Sequence, residues 1–145
     1  MEIALLEAKL AYLRNEVPVG AVIVNNKGLI SSKSGNKNRE LNDPTAHAEI
    51  VAIRKACKKI NSSKLFGYSI YVTLQPCEMC LHAILNAQIS RLYYGAIDYS
   101  NEILQKKYIS INNEGKNKLE IYSNIYEKKC SSLIKKFFKS KRNLV

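Results

Sequence analysis

The chain has 145 residues, 46% of them apolar and none of them tryptophan, which is the size of one ordinary domain with enough apolar material for a packed core. No stretch reaches the roughly 18–20 uncharged apolar residues of a membrane span, and the start Met1-Glu2-Ile3 lacks the basic head and apolar block of a signal peptide, so the expected compartment is the cytoplasm. The net charge of +11 points to a polyanionic partner, although lysine outnumbers arginine 18 to 5 beside 16 isoleucines and 14 asparagines, a bias that an AT-rich coding genome produces everywhere.

In chain order, residues 2–16 predict a helix, with Ile3, Leu6, Leu10 and Leu13 at helical spacing. The valine-rich run Val17 to Val24 predicts a buried strand, Asn25-Asn26-Lys27-Gly28 a turn, and Leu29 to Ser32 a returning strand. Residues 33–43 are polar and irregular. Asp43-Pro44 predicts a helix start, with Asp43 as N-cap and proline in the first helical position. That helix extends to about Lys59 and places Ile50, Ile53, Cys57 and Ile60 on one face. Ser69 to Leu74 predicts a strand, Pro76 to about Asn86 a helix, and Arg91 to Gly95 a strand. Residues 97–118 carry no readable pattern. Leu119 to Tyr122 predicts a last short strand. A helix from about Asn124 should turn Tyr126, Cys130, Leu133, Phe137 and Phe138 inward. No repeat or linker divides the chain, so residues 1–145 read as a single domain. Strands alternating with helices imply an α/β fold with helices on both sheet faces.

Two segments carry chemistry: Thr45-Ala46-His47-Ala48-Glu49 and Leu74-Gln75-Pro76-Cys77-Glu78-Met79-Cys80. Cys77 and Cys80 open a helix three residues apart, so both sulfurs face one way. A helix N-terminus favours the ligating thiolate. With His47 they make three protein ligands and leave a fourth tetrahedral position open, the pattern of a catalytic zinc. Two thiolates and an imidazole neutralise the metal, and a water in the open position would have a pKa of about 7. Glu49, at the start of the other helix, can reach that water, take its proton and return it to a leaving amine. A Cys-x-x-Cys pair alone also fits structural zinc or a redox pair. A structural site needs a fourth ligand, and the remaining candidates fall elsewhere: Cys57 and Cys130 on apolar helix faces, His82 off the Cys80 side of its helix.

The His-x-Glu and Pro-Cys-x-x-Cys segments together resemble the signature of the cytidine deaminase-like zinc deaminases. Within that superfamily the chain is similar to the bacterial tRNA-specific adenosine deaminases over nearly its whole length. Glu16-Val17-Pro18-Val19-Gly20-Ala21-Val22, Asn36, Asp43 to Ile50, Tyr71-Val72-Thr73-Leu74, Asp98 and Phe137-Phe138 carry the likeness. The resemblance implies a three-layer α/β/α fold with a mixed central sheet, one zinc ion per subunit and a homodimer. It implies deamination of the wobble adenosine of a tRNA anticodon stem-loop to inosine, with zinc hydroxide attacking C6 and Glu49 shuttling the protons. It also implies substrate contacts by the Asn36 amide, by the backbone N–H of Ala48 at the helix start, by Asp98 and by Phe138. Two departures stand out. Gln75 occupies a position where the family usually has glutamate, and the stretch after Asp98 lacks the family's lysine and glycine.

Adenine C6 and cytosine C4 both present an amino-bearing ring carbon, so the zinc motif alone does not choose between them. A deaminase of free cytosine, guanine or a deoxycytidylate is the alternative enzyme. A zinc-stabilised nucleic-acid-binding module is the non-enzymatic alternative, and it leaves Glu49 without a role. From Ile125 to Val145 seven basic residues stand against the single acid Glu127. That segment suits RNA and is superfluous for a free base.

Overall fold

The computed structural model describes residues 1–113 and 119–143. Five strands form one sheet in the order β2-β1-β3-β4-β5. They are β1 (Gly20–Val24), β2 (Ile30–Gly35), β3 (Ser69–Leu74), β4 (Arg91–Ala96) and β5 (Glu120–Tyr122). β1 is antiparallel to β2 and β3, whereas β3, β4 and β5 run parallel. Parallel neighbours need crossovers, and α4 (Glu78–Asn86) and α5 (Glu102–Asn113) supply them. Helices α1 (Glu2–Leu13) and α6 (Glu127–Arg142) cover one face of the sheet, and α3 (Ala48–Ile60) with α4 covers the other. The short α2 (Asn38–Leu41) joins β2 to α3. This is the mixed three-layer architecture that the resemblance implies.

The main core lies on the α3 and α4 side. Ile23, Ile70, Val72 and Leu92 from the strands meet Ala52, Ala56, Leu81, Ile84 and, from α5, Leu104 and Tyr108. The opposite layer is held by close backbone approach. A Cβ on Gly20 would stand 1.9 Å from the Ala4 carbonyl oxygen, and one on Gly95 would stand 2.3 Å from Cys130 Sγ. Glycine at these two positions lets α1 and α6 sit directly on the sheet.

That closeness overturns the expected helix faces. α1 buries Ala4, Leu5, Ala8 and Ala11, because only small side chains fit where two backbones nearly touch. Ile3, Leu6, Leu10 and Leu13 point away, with Leu13 79% exposed. In α3 the buried set is Ala48, Glu49, Val51, Ala52 and Ala56, while Ile50, Ile53 and Cys57 are half-buried and Ile60 is exposed. α6 buries Cys130 and Phe137, as expected, and leaves Tyr126 and Phe138 each 45% exposed.

Several boundaries also differ. β1 starts only at Gly20, because Pro18 has no N–H for a ladder and Val19 instead turns back to the Val17 carbonyl at 2.8 Å. β2 runs on to Gly35 as a serine-rich edge strand whose Ser32 hydroxyl donates to the Ala52 carbonyl at 2.7 Å. Asp43 does not cap α3. Its Oδ1 accepts from the Thr45 N–H at 2.8 Å and the Thr45 hydroxyl at 2.7 Å, which closes a turn and delays the helix to Ala48. α6 starts at Glu127, after Asn124 and Tyr126 in the left-handed region. α5 occupies the stretch without readable pattern. No helix among the described residues is long and apolar enough to cross a membrane.

Candidate active site

Two helix starts converge at one end of the sheet. α3 and α4 are each preceded by an extended residue, His47 (φ −64°, ψ 154°) and Cys77 (φ −66°, ψ 173°). Neither uses its side chain to cap its own helix, so both side chains are free for another partner. His47 Nδ1 lies 3.6 Å from Cys77 Sγ and 3.4 Å from Cys80 Sγ. Two ligands bound to zinc at about 2.0–2.3 Å with a tetrahedral angle between them stand about 3.5 Å apart, so the spacing suits that ion. The three ligand atoms lie within 4.8 Å of one another and form the one cluster of its kind among the described residues. A donor set of two soft sulfurs and one imidazole matches zinc chemistry.

Protons report the same pull. A hydrogen bond from the Cys80 thiol, opposed by burial, holds Cys77 down to about 4. The same bond and burial push Cys80 up. The hydrogen bond to Cys77 raises His47. Cys77 is thereby biased toward the thiolate, the form that ligates a divalent cation. Both helix N-termini add positive potential to this spot.

Glu49 is the second residue of α3 and only 4% exposed. Burial lifts its carboxyl from 4.5 to about 7. A carboxylate tuned to neutrality both accepts and releases a proton under ordinary conditions. It lines a cavity of about 270 Å³, together with His47, Cys77 and Asn36. That volume sits at the small end for ligand pockets, about 300 Å³ and upward, and admits one ring system. Gln75, Asp98, Asn101 and Leu104 form a further wall of the cavity.

The expected substrate contacts separate. Asn36 and Asp98 reach the cavity. The Ala48 side chain is fully buried in the core, and only its backbone belongs to the helix start at the site. Phe138 sits on α6 with its ring edge against Phe137 at 5.5 Å and does not line the cavity. Cys57 and Cys130 are free thiols outside the metal cluster, and His82 is exposed.

Two features escaped the sequence reading. Glu16, 1% exposed, accepts from Asn36 Nδ2 at 3.1 Å and from the backbone N–H of Arg39 and Glu40 at 2.8 and 2.9 Å. It thereby fixes the Asn36 amide, leaving Oδ1 as the acceptor available to a ligand. A glutamate two residues before a proline in an extended segment carries no sequence signal for this. The second feature is Gln105, whose amide meets that of Gln75.

Comparison with known proteins follows the same lines. Residues 1–96 match the family model for the cytidine and deoxycytidylate deaminase zinc-binding region. The chain is 43% identical over 143 residues to the tRNA-specific adenosine deaminase of Agrobacterium fabrum, covering 98% of this chain and 93% of that one. It is 43% identical over 145 residues to the tRNA-specific adenosine deaminase of Rickettsia bellii, covering 99% and 100%. A solved structure from a study of A-to-I editing by tRNA:A34 deaminases at the wobble position of transfer RNA superposes with a TM-score of 0.83 at 44% identity, covering 92% of this chain and 96% of that one. The chain belongs to the zinc-dependent cytidine deaminase-like proteins and, among them, to the tRNA-specific adenosine deaminase family.

Proposed function

We propose that residues 1–145 form one deaminase domain that converts the wobble adenosine of a tRNA anticodon stem-loop to inosine, with His47, Cys77 and Cys80 holding one zinc ion and Glu49 moving the protons. The observation that carries this reading is a buried glutamate, Glu49, lining the same small cavity as His47 and Cys77, two members of the His47, Cys77 and Cys80 cluster. Bound zinc supplies the Lewis acidity that makes water a nucleophile near neutral pH. Glu49 takes a proton from the attacking water and delivers it to N1 as the C6–O bond forms. The remaining hydroxyl proton passes to N6, the C6–N6 bond breaks, and ammonia leaves behind a C6 carbonyl. Asn36, its Nδ2 held by Glu16, offers Oδ1 to the edge of the flipped base, and the Ala48 N–H and Asp98 are the further contacts proposed around it.

The exposed Phe138 and the basic residues of α6 lie outside the cavity, where flanking nucleotides and phosphates would run. The active form is read as a homodimer working in the cytoplasm, on the strength of the family likeness. The test separates metal from proton transfer. Cys80→Ala is expected to lose zinc by elemental analysis. Glu49→Gln is expected to stay folded and zinc-loaded, to bind RNA, and to turn over at least roughly 100-fold more slowly. Full zinc in the Cys80 variant or near-normal turnover in the Glu49 variant overturns the assignment.

A further inference from the structure

The wall of the cavity that includes Gln75 and Asp98 is bolted on by α5. The Tyr108 hydroxyl donates to the Pro76 carbonyl at 2.8 Å in a buried bond, and Lys107 pairs with Glu78. Between these, two glutamine amides meet. Gln105 Nε2 donates to Gln75 Oε1 at 2.9 Å and to the Asp98 carbonyl at 2.8 Å. Gln75 Oε1 also accepts the Asp98 N–H at 3.2 Å, and Gln75 Nε2 donates to Gln105 Oε1 at 3.3 Å. The pair therefore grips both the N–H and the carbonyl of Asp98. Asp98, Asn101 and Leu104 line the same cavity as His47 and Glu49.

We infer that the Gln75–Gln105 amide pair is a positioning element that sets where this wall stands, and so how tightly the target nucleotide is held; the inference rests on the deaminase reading above. Neither residue touches the reacting atoms. The grip acts through donors and acceptors, and these are not symmetric. A glutamate at 75 still accepts from the Asp98 N–H and from Gln105 Nε2, and loses only the longer donation to Gln105 Oε1 at 3.3 Å. A glutamate at 105 loses both donations and turns an oxygen toward Gln75 Oε1 and the Asp98 carbonyl. A part-buried pair that served packing alone would not distinguish the two changes, since each swaps NH2 for oxygen at constant volume.

The experiment uses the zinc-loaded full chain with Gln75→Glu, Gln105→Glu and Gln105→Met, the last guarding against a failure of the second to fold. Steady-state deamination of a wobble-adenosine stem-loop RNA is measured with hydrogen exchange over residues 98–105. Gln75→Glu is expected to keep KM within about twofold. Both Gln105 variants are expected to raise KM about tenfold, as for the loss of two neutral hydrogen bonds, with kcat within about threefold, zinc retained and exchange of the segment accelerated. Equal effects of Gln75→Glu and Gln105→Glu, faster exchange without a KM change, or no change in exchange overturns the inference. A wild-type protein inactive on RNA whose exchange still follows the expected asymmetry removes the deaminase reading and leaves the grip itself standing.

Discussion

Glu16 offers the sharpest stability test. Glu16→Ala leaves three donors without their acceptor: Asn36 Nδ2 and the N–H groups of Arg39 and Glu40. A buried donor left unpaired costs about 1–3 kcal/mol. Arg39 and Glu40 are exposed residues, so water takes over part of their share, and the total comes to about 3–5 kcal/mol. That is a large part of the roughly 5–15 kcal/mol that holds an ordinary domain together. Glu16→Gln differs in kind. Its Oε1 keeps the two backbone bonds, while its Nε2 faces Asn36 Nδ2. Two NH2 groups repel, and Asn36 relieves the contact by turning its amide over, which presents a donor to the cavity in place of Oδ1. The expected stability loss is only about 1–2 kcal/mol, whereas kcat/KM on stem-loop RNA falls at least about tenfold. Urea unfolding and steady-state kinetics on the same preparations give both numbers. Full activity in Glu16→Gln, or a Glu16→Ala protein within about 1 kcal/mol of wild type, refutes the reasoning.

The remaining predictions concern pH, close approach and charge. In the zinc-free protein the Glu49 carboxyl is raised from 4.5 to about 7 by burial, so its contribution to stability is full below about pH 4.5 and is lost as pH rises through about 7. By about pH 8 this amounts to on the order of 3 kcal/mol. Zinc-free Glu49→Gln, followed by urea unfolding, should match wild type at low pH and exceed it at high pH; parallel curves contradict this. Alanine at three glycines should rank Gly20 worst, then Gly95, then Gly28. The first meets the Ala4 carbonyl oxygen at 1.9 Å, the second the Cys130 side chain at 2.3 Å with the Thr73 carbonyl oxygen farther off at 2.9 Å, and the third only a strained φ of +79° in open space. The Gly95 change should cost about 1–3 kcal/mol, and a Gly28 variant less stable than the Gly20 variant breaks the ranking. Lys139/Lys141/Arg142→Gln should flatten the salt dependence of RNA affinity, with zinc and fold retained. An unchanged slope leaves the tail as a solvated face, its Lys141 spent on Asn15 and the Phe137 ring.

Much of this molecule was readable without coordinates. Ser69–Leu74 is a strand with the bounds that its β-branched run predicts, and the two Cys-helix and His-helix segments do meet. What failed has one physical root. Apolar periodicity was read by size, so Ile3, Leu6, Leu10 and Leu13 looked inward. The true contact face is alanine, because α1 rests on Gly20 too closely for anything larger. The same substitution of small for large hid the inner face of α3. Residues 97–113 are opaque because the core stripe of Leu104, Tyr108 and Ile111 is blurred by the exposed Ile103 and Ile109, and because Gln105 anchors α5 to Gln75 by polar bonds. Glu16 was invisible for a related reason: its three partners lie more than 19 residues away.

One measurement addresses the chemistry directly. Zinc-loaded protein is incubated with an anticodon stem-loop RNA carrying adenosine at the wobble position, and separately with free cytosine and guanine. The RNA is digested to nucleosides and inosine is quantified, while loss of each base is followed in parallel. Inosine should form from the RNA, neither free base should be consumed, and Glu49→Gln should form almost none. Turnover of guanine or cytosine with no inosine from the RNA would contradict the account.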